Sequence, residues 1–131
     1  MKKKKIAVYI RIPKNSANKL QIICDEYRSK IADRKDCQLV EIYHDVGLSG
    51  VDNNRPGYLK MLQAARNKEF DYIVTKHHGK LSRRPIDLQK IIKELRQIGV
   101  GIYFEDGEVD TLQINYPCDD ILSLQTKVRK Y

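Results

Sequence analysis

Three arginines of this chain stand where they could act together on an anion. Arg11, Arg55 and Arg83 each lie shortly after the end of a strand-like apolar run, and Lys80 and Arg84 flank the last of them. Convergent guanidinium groups suit phosphate, because their planar forks donate paired hydrogen bonds to its oxygens and stabilise charge during phosphoryl transfer. A loop arginine is more often a solvated surface charge. Because the three arginines occupy corresponding positions after strands, an anion site is favoured over three solvated surface charges.

Alternating strands and helices must position these side chains. We expect an α/β domain of three layers, with a mainly parallel sheet of four to five strands and helices on both faces. Ligands of such sheets gather at the carboxyl ends of the strands, where three loops fall here: 11–18, 45–57 and 77–84. Ser16 is suited to cap the first helix. The apolar runs predict strands over 6–10, 39–43, 72–75 and 100–104, with a short edge strand over 110–115.

Size and charge narrow the class of protein. The chain has 131 residues, of which 41% are hydrophobic, enough for one domain with a core. Its 25 lysines and arginines against 17 acidic residues leave a net charge of +8. This excess favours nucleic acid over a membrane surface as partner, the alternative being a protein that is merely basic. No apolar run is long enough to span a membrane. We therefore expect a soluble, cytoplasmic protein.

Three further candidate sites are not supported by the sequence. The three cysteines, Cys24, Cys37 and Cys118, are far apart without a CxxC pair, which predicts free thiols in a reducing compartment rather than a disulfide framework or zinc site. His77 and His78 lack an evident third ligand, so no metal is expected. Asp45 follows a strand like a phosphoacceptor, but the acidic partners that such a site needs are missing after the first strand, where Arg11 stands.

Four blocks of the sequence resemble the serine recombinases, the resolvase and invertase family. Their order along the chain agrees with that family, and the similarity runs from about residue 5 to residue 124. The glycine-rich second block is the most specific of them. The blocks are Ala7-Val8-Tyr9-Ile10-Arg11-Ile12, Gly47-Leu48-Ser49-Gly50 with Arg55-Pro56-Gly57, Phe70-Asp71-Tyr72-Ile73-Val74 with Leu81 and Arg83, and Gly99-Val100-Gly101-Ile102-Tyr103-Phe104-Glu105.

The resemblance implies a catalytic domain for site-specific DNA recombination. Family members cut DNA with a serine that forms a 5′-phosphoserine link, and rotation and rejoining exchange the strands. The enzymes work as tetramers at paired sites, and they need neither a metal nor a nucleotide cofactor. By position, Arg11, Arg55 and Arg83 match catalytic arginines, and Ser49 matches a serine of the active-site loop. The cations Arg11, Arg55, Lys80, Arg83 and Arg84 are the expected DNA contacts.

The departures from the family pattern concern the same site. Pro13 stands at the position of the nucleophile, and proline has no hydroxyl that could attack. Lys80 replaces a usual arginine and loses its fork, and Gly79 replaces a usual serine or aspartate. Ser16 is the candidate substitute nucleophile, although catalysis tolerates displacement poorly. The sequence thus predicts a recombinase domain impaired in cleavage, the alternative being a non-catalytic DNA-binding or dimerising module that modulates an active recombinase.

The extent of the chain sets further expectations. Residues 1–131 are expected to form a single resolvase-like catalytic domain that ends at the start of the long helix of the family, with no DNA-binding module. DNA binding should then be weak and dependent on salt, because phosphate neutralisation would supply most of it. A homo-dimer or higher recombinase-type oligomer and an origin in a mobile element are expectations from the family.

Overall fold

The computed structural model describes residues 3–47 and 55–113. Strands and helices alternate through most of this part of the chain, as predicted. The five strands are β1 (Lys4–Ile12), β2 (Cys37–Val46), β3 (Tyr72–Thr75), β4 (Gly101–Phe104) and β5 (Val109–Asp110). The helices are a 3₁₀ helix (Lys14–Lys19), α1 (Leu20–Ala32), α2 (Pro56–Arg66), α3 (His78–Leu81) and α4 (Pro85–Gln97).

The strands form one mixed sheet in the order β2-β1-β3-β4-β5. The first four strands are parallel, and β5 runs antiparallel to β4. The mainly parallel α/β prediction is therefore confirmed. The edge strand was predicted over 110–115, but β5 spans only Val109–Asp110, and residues 111–113 lie outside it. Residues 114 and 115 of that prediction lie outside the described residues, as does the helix expected to begin near residue 119.

Two apolar cores, one on each face of the sheet, account for the three layers. Alternate residues of β1 point to opposite faces, because strand side chains alternate. One core joins Val8 and Ile10 to Cys24 and Ile31 of α1. The other joins Ala7 and Tyr9 to buried residues of α2 and α4, among them Met61, Leu62, Leu88, Ile92 and Leu95. Burial on both faces explains why residues 6–10 form a continuous apolar run.

Three boundaries near the strand ends differ from the predictions. Arg11 belongs to β1 rather than to the following loop, because the ladder with β2 continues to the pair Ile12 and Val46. The predicted polar loop after β1 is mostly a 3₁₀ helix, and Ser16 lies inside it, so its side chain caps neither this helix nor α1. The predicted basic loop contains the short helix α3, which carries Lys80.

Candidate functional site

Arg11 and Arg55 donate hydrogen bonds to the backbone of α3. The Arg11 side chain donates hydrogen bonds to the carbonyl oxygens of Gly79, at 2.6 Å, and Lys80, at 3.1 Å. Arg55 donates to the carbonyls of Lys80, at 3.3 Å, and Leu81, at 2.6 Å. The last carbonyls of a helix have no partner within it, so the two guanidinium groups satisfy acceptors that would otherwise be buried and unpaired. Both arginines thereby fix the turn that presents Lys80.

Arg55 also contacts two tyrosines, Tyr58 and Tyr9. It is only 1% exposed, although it is the largest of the fully buried side chains. Its guanidinium carbon lies 3.8 Å from the ring centroid of Tyr58, a stacked cation–π contact. Its Nη1 donates to the Tyr9 hydroxyl at 3.0 Å. Packing on aromatic rings and hydrogen bonds to protein oxygens keep this buried charge in a single position.

Asp45 connects this arginine to the start of α2. Its carboxylate accepts from the backbone N–H groups of Gly57 and Tyr58, both at 2.9 Å, and from the Tyr9 hydroxyl at 2.7 Å. Burial, together with the hydrogen bond to Asp45, raises the pKa of Tyr9 above its ordinary value, so the phenol stays protonated. Since the carboxylate caps a helix and accepts from Tyr9, the structure gives Asp45 a structural place.

Lys80 and Arg83 are the cations that the turn presents next to Arg11. Arg83 is exposed and Lys80 is partly buried. Burial, and then the positive charges of Arg11 and Arg83, lower the pKa of Lys80 below its ordinary value. Burial and then the charge of Arg55 likewise lower the pKa of Arg11. Arg11, Lys80 and Arg83 therefore lie near one another, and the repulsion between their charges would be relieved by an anion. Arg84, also exposed, stands at the start of α4.

Pro13 occupies the turn between β1 and the 3₁₀ helix. It is exposed, with φ −69° and ψ 157°, and its carbonyl accepts from the Ser16 N–H at 2.9 Å. Gly47 packs against this segment, because a Cβ built there would lie 3.3 Å from the Cβ of Lys14. Gly47, the first residue of the glycine-rich block, thus lies beside the Pro13 turn. Ser49 itself lies outside the described residues.

A cavity of about 400 Å³ opens at the carboxyl edge of the sheet, next to these cations. Arg11 and Thr75 at the strand ends and Lys80 of α3 line it, together with Glu26 and Glu105. Ile23 and Tyr27 of α1 line the opposite wall. It lies at the switch point of the sheet, where the chain leaves β1 toward one face and β3 toward the other.

Neither metal nor membrane chemistry is suggested by the described residues. Within residues 3–47 and 55–113, no three histidine, cysteine or acidic side chains are grouped as a metal would need. Nδ1 of His77 accepts from the Gly79 N–H at 3.0 Å, and its ring lies 4.1 Å from that of His78. No helix in the described part of the chain is long and apolar enough to cross a membrane.

Comparison with known proteins decides the family. The family model for the resolvase N-terminal domain matches residues 6–122, most of the chain. The chain belongs to the resolvase family. The predicted resemblance to the serine recombinases is thus confirmed. No curated protein matches the chain significantly.

Solved structures of serine recombinases share the fold of this resolvase-family domain. The N-terminal catalytic domain of TP901-1 integrase is 21% identical, with a TM-score of 0.73 over 97% of this chain and 98% of its own. A resolvase family site-specific recombinase from Streptococcus pneumoniae is 15% identical, with a TM-score of 0.74 over 98% and 89%. The C-terminal catalytic domain of ISC1926 TnpA, an IS607-like serine recombinase, is 20% identical, with a TM-score of 0.68 over 77% and 68%.

Sequence reasoning did not anticipate the residues that hold the site together. Tyr9 was visible only as part of an apolar strand, although it lies two residues before Arg11 and so on the same face. Thr75 donates from its hydroxyl to the Tyr9 carbonyl at 3.1 Å and ties β3 to β1. Their polar groups at the end of an otherwise apolar strand were the available signal.

Proposed function

We propose that this resolvase-family domain binds DNA phosphates at the carboxyl edge of its sheet and is impaired in cleaving them. The observation that carries the proposal is the proline at position 13, at the turn where the family places its nucleophile. A proline side chain offers no oxygen to attack phosphorus. Lys80 and Arg83 supply the positive charge that a phosphodiester requires, and Arg11 and Arg55 position the turn that carries them.

In this proposal Ser16 is a structural residue and not a nucleophile. Its backbone N–H closes the first turn of the 3₁₀ helix on Pro13, which fixes Ser16 one turn away from the strand end. A nucleophile must approach phosphorus in line with the leaving oxygen, and small displacements are costly in rate. On this basis the domain acts as a DNA-binding partner in a recombinase-type assembly, a homo-dimer or larger, in the cytoplasm.

The backbone of residue 13 makes a sharp test feasible. Its φ and ψ are in the extended region that any residue adopts, so serine fits there without rearrangement. We expect Pro13→Ser, in a fusion to a sequence-specific DNA-binding module, to form a covalent adduct with nicked DNA that carries two sites for that module. The parent fusion should form none. Pro13→Ala is the matched control, because it changes the same backbone without adding a hydroxyl.

Adduct formation and DNA binding are read separately. An adduct from the parent fusion, lost in Ser16→Ala, would show that Ser16 attacks and that the cleavage part of the proposal is wrong. DNA retention should be equal for the parent, Pro13→Ala and Pro13→Ser, and weaker for Lys80→Ala. If the isolated parent domain bound no DNA at low salt, the phosphate-binding part would be wrong as well.

A further inference from the structure

The imidazole of His77 caps the short helix α3. The first N–H groups of a helix have no acceptor within it, and a side chain of the preceding residue often supplies one. Here the acceptor is Nδ1 of His77, which lies 3.0 Å from the Gly79 nitrogen. A Cβ on Gly79 would lie only 3.2 Å from Nδ1 and 3.6 Å from Cε1, so the absence of a side chain leaves room for the ring. His77 and Gly79 thus form one fitted unit at the start of α3.

Contacts at both ends of α3 determine its position. The helix has only four residues, and so short a helix does not persist without contacts outside it. Arg11 donates to the carbonyls of Gly79 and Lys80, and the Leu81 side chain is fully buried in the core. At the start of the helix, the acceptor is the imidazole of His77. The placement of Lys80 therefore depends on a guanidinium that stays charged and on a histidine whose bonding changes with its protonation.

Protonation reverses the role of Nδ1 in this hydrogen bond. The neutral imidazole accepts at its unprotonated nitrogen, whereas the imidazolium carries hydrogen on both nitrogens and accepts at neither. The Gly79 N–H would then face a second donor, and a positive charge at the start of a helix is unfavourable. Histidine changes its charge between about pH 5 and pH 8, an interval in which lysine and arginine stay protonated. The cap therefore exists only with neutral His77.

Cations surround the turn that His77 begins. One precedes it in the chain, one belongs to α3, and two donate hydrogen bonds to the carbonyls of α3. They are Lys76, Lys80, Arg11 and Arg55. The ring of His78 lies 4.1 Å from that of His77, so a second titratable imidazole adjoins the first. A charge on His77 is thus added next to groups of the same sign.

The carboxylates nearest to this turn come from the segment after β4. The backbone N–H groups of Glu105 and Asp106 donate to the carbonyls of Thr75 and Lys76, at 3.0 and 2.9 Å. The Glu105 carboxylate pairs with the Lys30 ammonium at 2.8 Å, and that of Asp106 with the Lys76 ammonium at 3.8 Å. Since lysines already balance both carboxylates, they offset little of the cost of a charge on His77.

We infer that His77 is a positioning residue for Lys80, and that protonation of His77 removes the cap and loosens the first turn of α3 as the pH falls. The buried Leu81 holds the other end of the helix, so the change is confined to the first turn and the domain stays folded. The inference goes beyond the proposed function, because it concerns how Lys80 is placed and not what Lys80 binds.

Nuclear magnetic resonance of the whole chain tests the cap directly. Long-range proton–nitrogen spectra show which ring nitrogen carries hydrogen, and at the alkaline end of the interval we expect Nδ1 of His77 to carry none. Exchange of the Gly79 amide hydrogen with water, corrected for its intrinsic rate, should be about 5-fold faster near pH 5 than near pH 8, the factor expected for one capping hydrogen bond. The Arg11 Nε–H resonance, whose acceptor is the Lys80 carbonyl, should shift over the same interval.

Variants at position 77 separate the cap from a general structural effect. His77→Asn keeps a capping acceptor that gains no proton, so exchange at Gly79 should be slow at both pH values. His77→Ala has no acceptor, so exchange should be fast at both. His78→Asn should keep the response of the parent, because the acceptor belongs to His77. His44→Asn is the matched control, since it removes an exposed histidine of β2 and should change nothing at Gly79.

Each result supports or overturns the inference without reference to DNA. A hydrogen on Nδ1 of His77 at the alkaline end of the interval would overturn the cap. Equal corrected exchange rates at both pH values in the parent would overturn the pH response, and so would a response that persists in His77→Asn. Both measurements on the parent stand even if His77→Ala does not fold. Because the adduct and DNA-retention experiments are made at one pH, the proposed function and this inference can fail independently.

Discussion

At the scale of the residue, the arginines and Lys80 have different surroundings. Arg11 and Arg55 are 8% and 1% exposed, and they direct hydrogen bonds to backbone carbonyls of α3. Lys80, which that helix carries, faces the cavity. A buried arginine stays charged because its guanidinium group hardly deprotonates, whereas a lysine amine loses its proton more readily when buried. The response of the site to alkaline pH should therefore come from Lys80.

The exchange Lys80→Arg tests this difference. In the proposed function the protonated ammonium of Lys80 binds phosphate. Its pKa lies below the ordinary value of lysine, so DNA affinity of the parent should fall as pH rises toward 10.5. An arginine at position 80 stays protonated over that interval and has a bidentate fork, so the affinity of Lys80→Arg should be higher and nearly constant. Polarisation titrations from neutral to alkaline pH measure both. Parallel pH profiles for the two proteins would contradict the role given to Lys80.

At the scale of the element, the start of α2 is fitted to β2 by one glycine and one aspartate. A Cβ on Gly57 would overlap the carbonyl oxygen of His44 and lie 3.1 Å from Oδ2 of Asp45. The close approach lets Asp45 accept from the first N–H groups of α2. The position of α2 matters for the site, because Arg55 directly precedes this helix.

Gly57→Ala should accordingly separate α2 from β2. The obstructing atom is the His44 carbonyl oxygen in the backbone of β2, so it cannot rotate away as a side chain could. We expect a loss of about 2–3 kcal/mol in the free energy of unfolding, measured by urea denaturation. The neighbouring exposed Pro56→Ala is the control and should change it by less than about 1 kcal/mol. A Gly57→Ala protein as stable as its parent would show that the helix has room to move.

At the scale of the whole molecule, positive charge lies at both edges of the sheet, but the charged residues around it differ between the two edges. At the amino edge, Arg34 pairs with Asp36 at 3.1 Å, and the backbone N–H of Lys5 donates to Asp71. At the carboxyl edge, Lys30 pairs with Glu105 at 2.8 Å and Lys76 with Asp106 at 3.8 Å, whereas Lys80 and Arg83 lie near Arg11. An anionic strand should therefore bind at the carboxyl edge.

The salt dependence of DNA binding measures this distribution. Each phosphate that the protein neutralises adds about 0.9 to the steepness of log K against log salt concentration. We expect Lys80→Ala and Arg83→Ala each to lower that slope by about 1. Lys35→Ala, an exposed cation in the turn before β2 at the opposite edge, should leave it unchanged. An equal effect of all three changes would indicate binding through net charge alone.

The sequence by itself determined the fold class and the set of cations. Strand and helix periods depend on local alternation of apolar residues, and family blocks are strings of neighbouring residues, so both can be read along the chain. The missing hydroxyl at Pro13 is likewise a fact of the sequence. The predicted extent of 1–131 as one domain stays a prediction, and so does the role of Ser49.

Only the tertiary structure decided what each cation touches. Arg55 and Leu81 are 26 positions apart, and Tyr9 and Asp45 are 36 apart, so no local pattern could pair them. Burial distinguished Arg55, which is 1% exposed, from Arg11 and Lys80, which line a cavity, and burial depends on how elements pack. The wall formed by Tyr27 and Glu105 exists because α1 and the end of β4 meet across 78 positions of the chain.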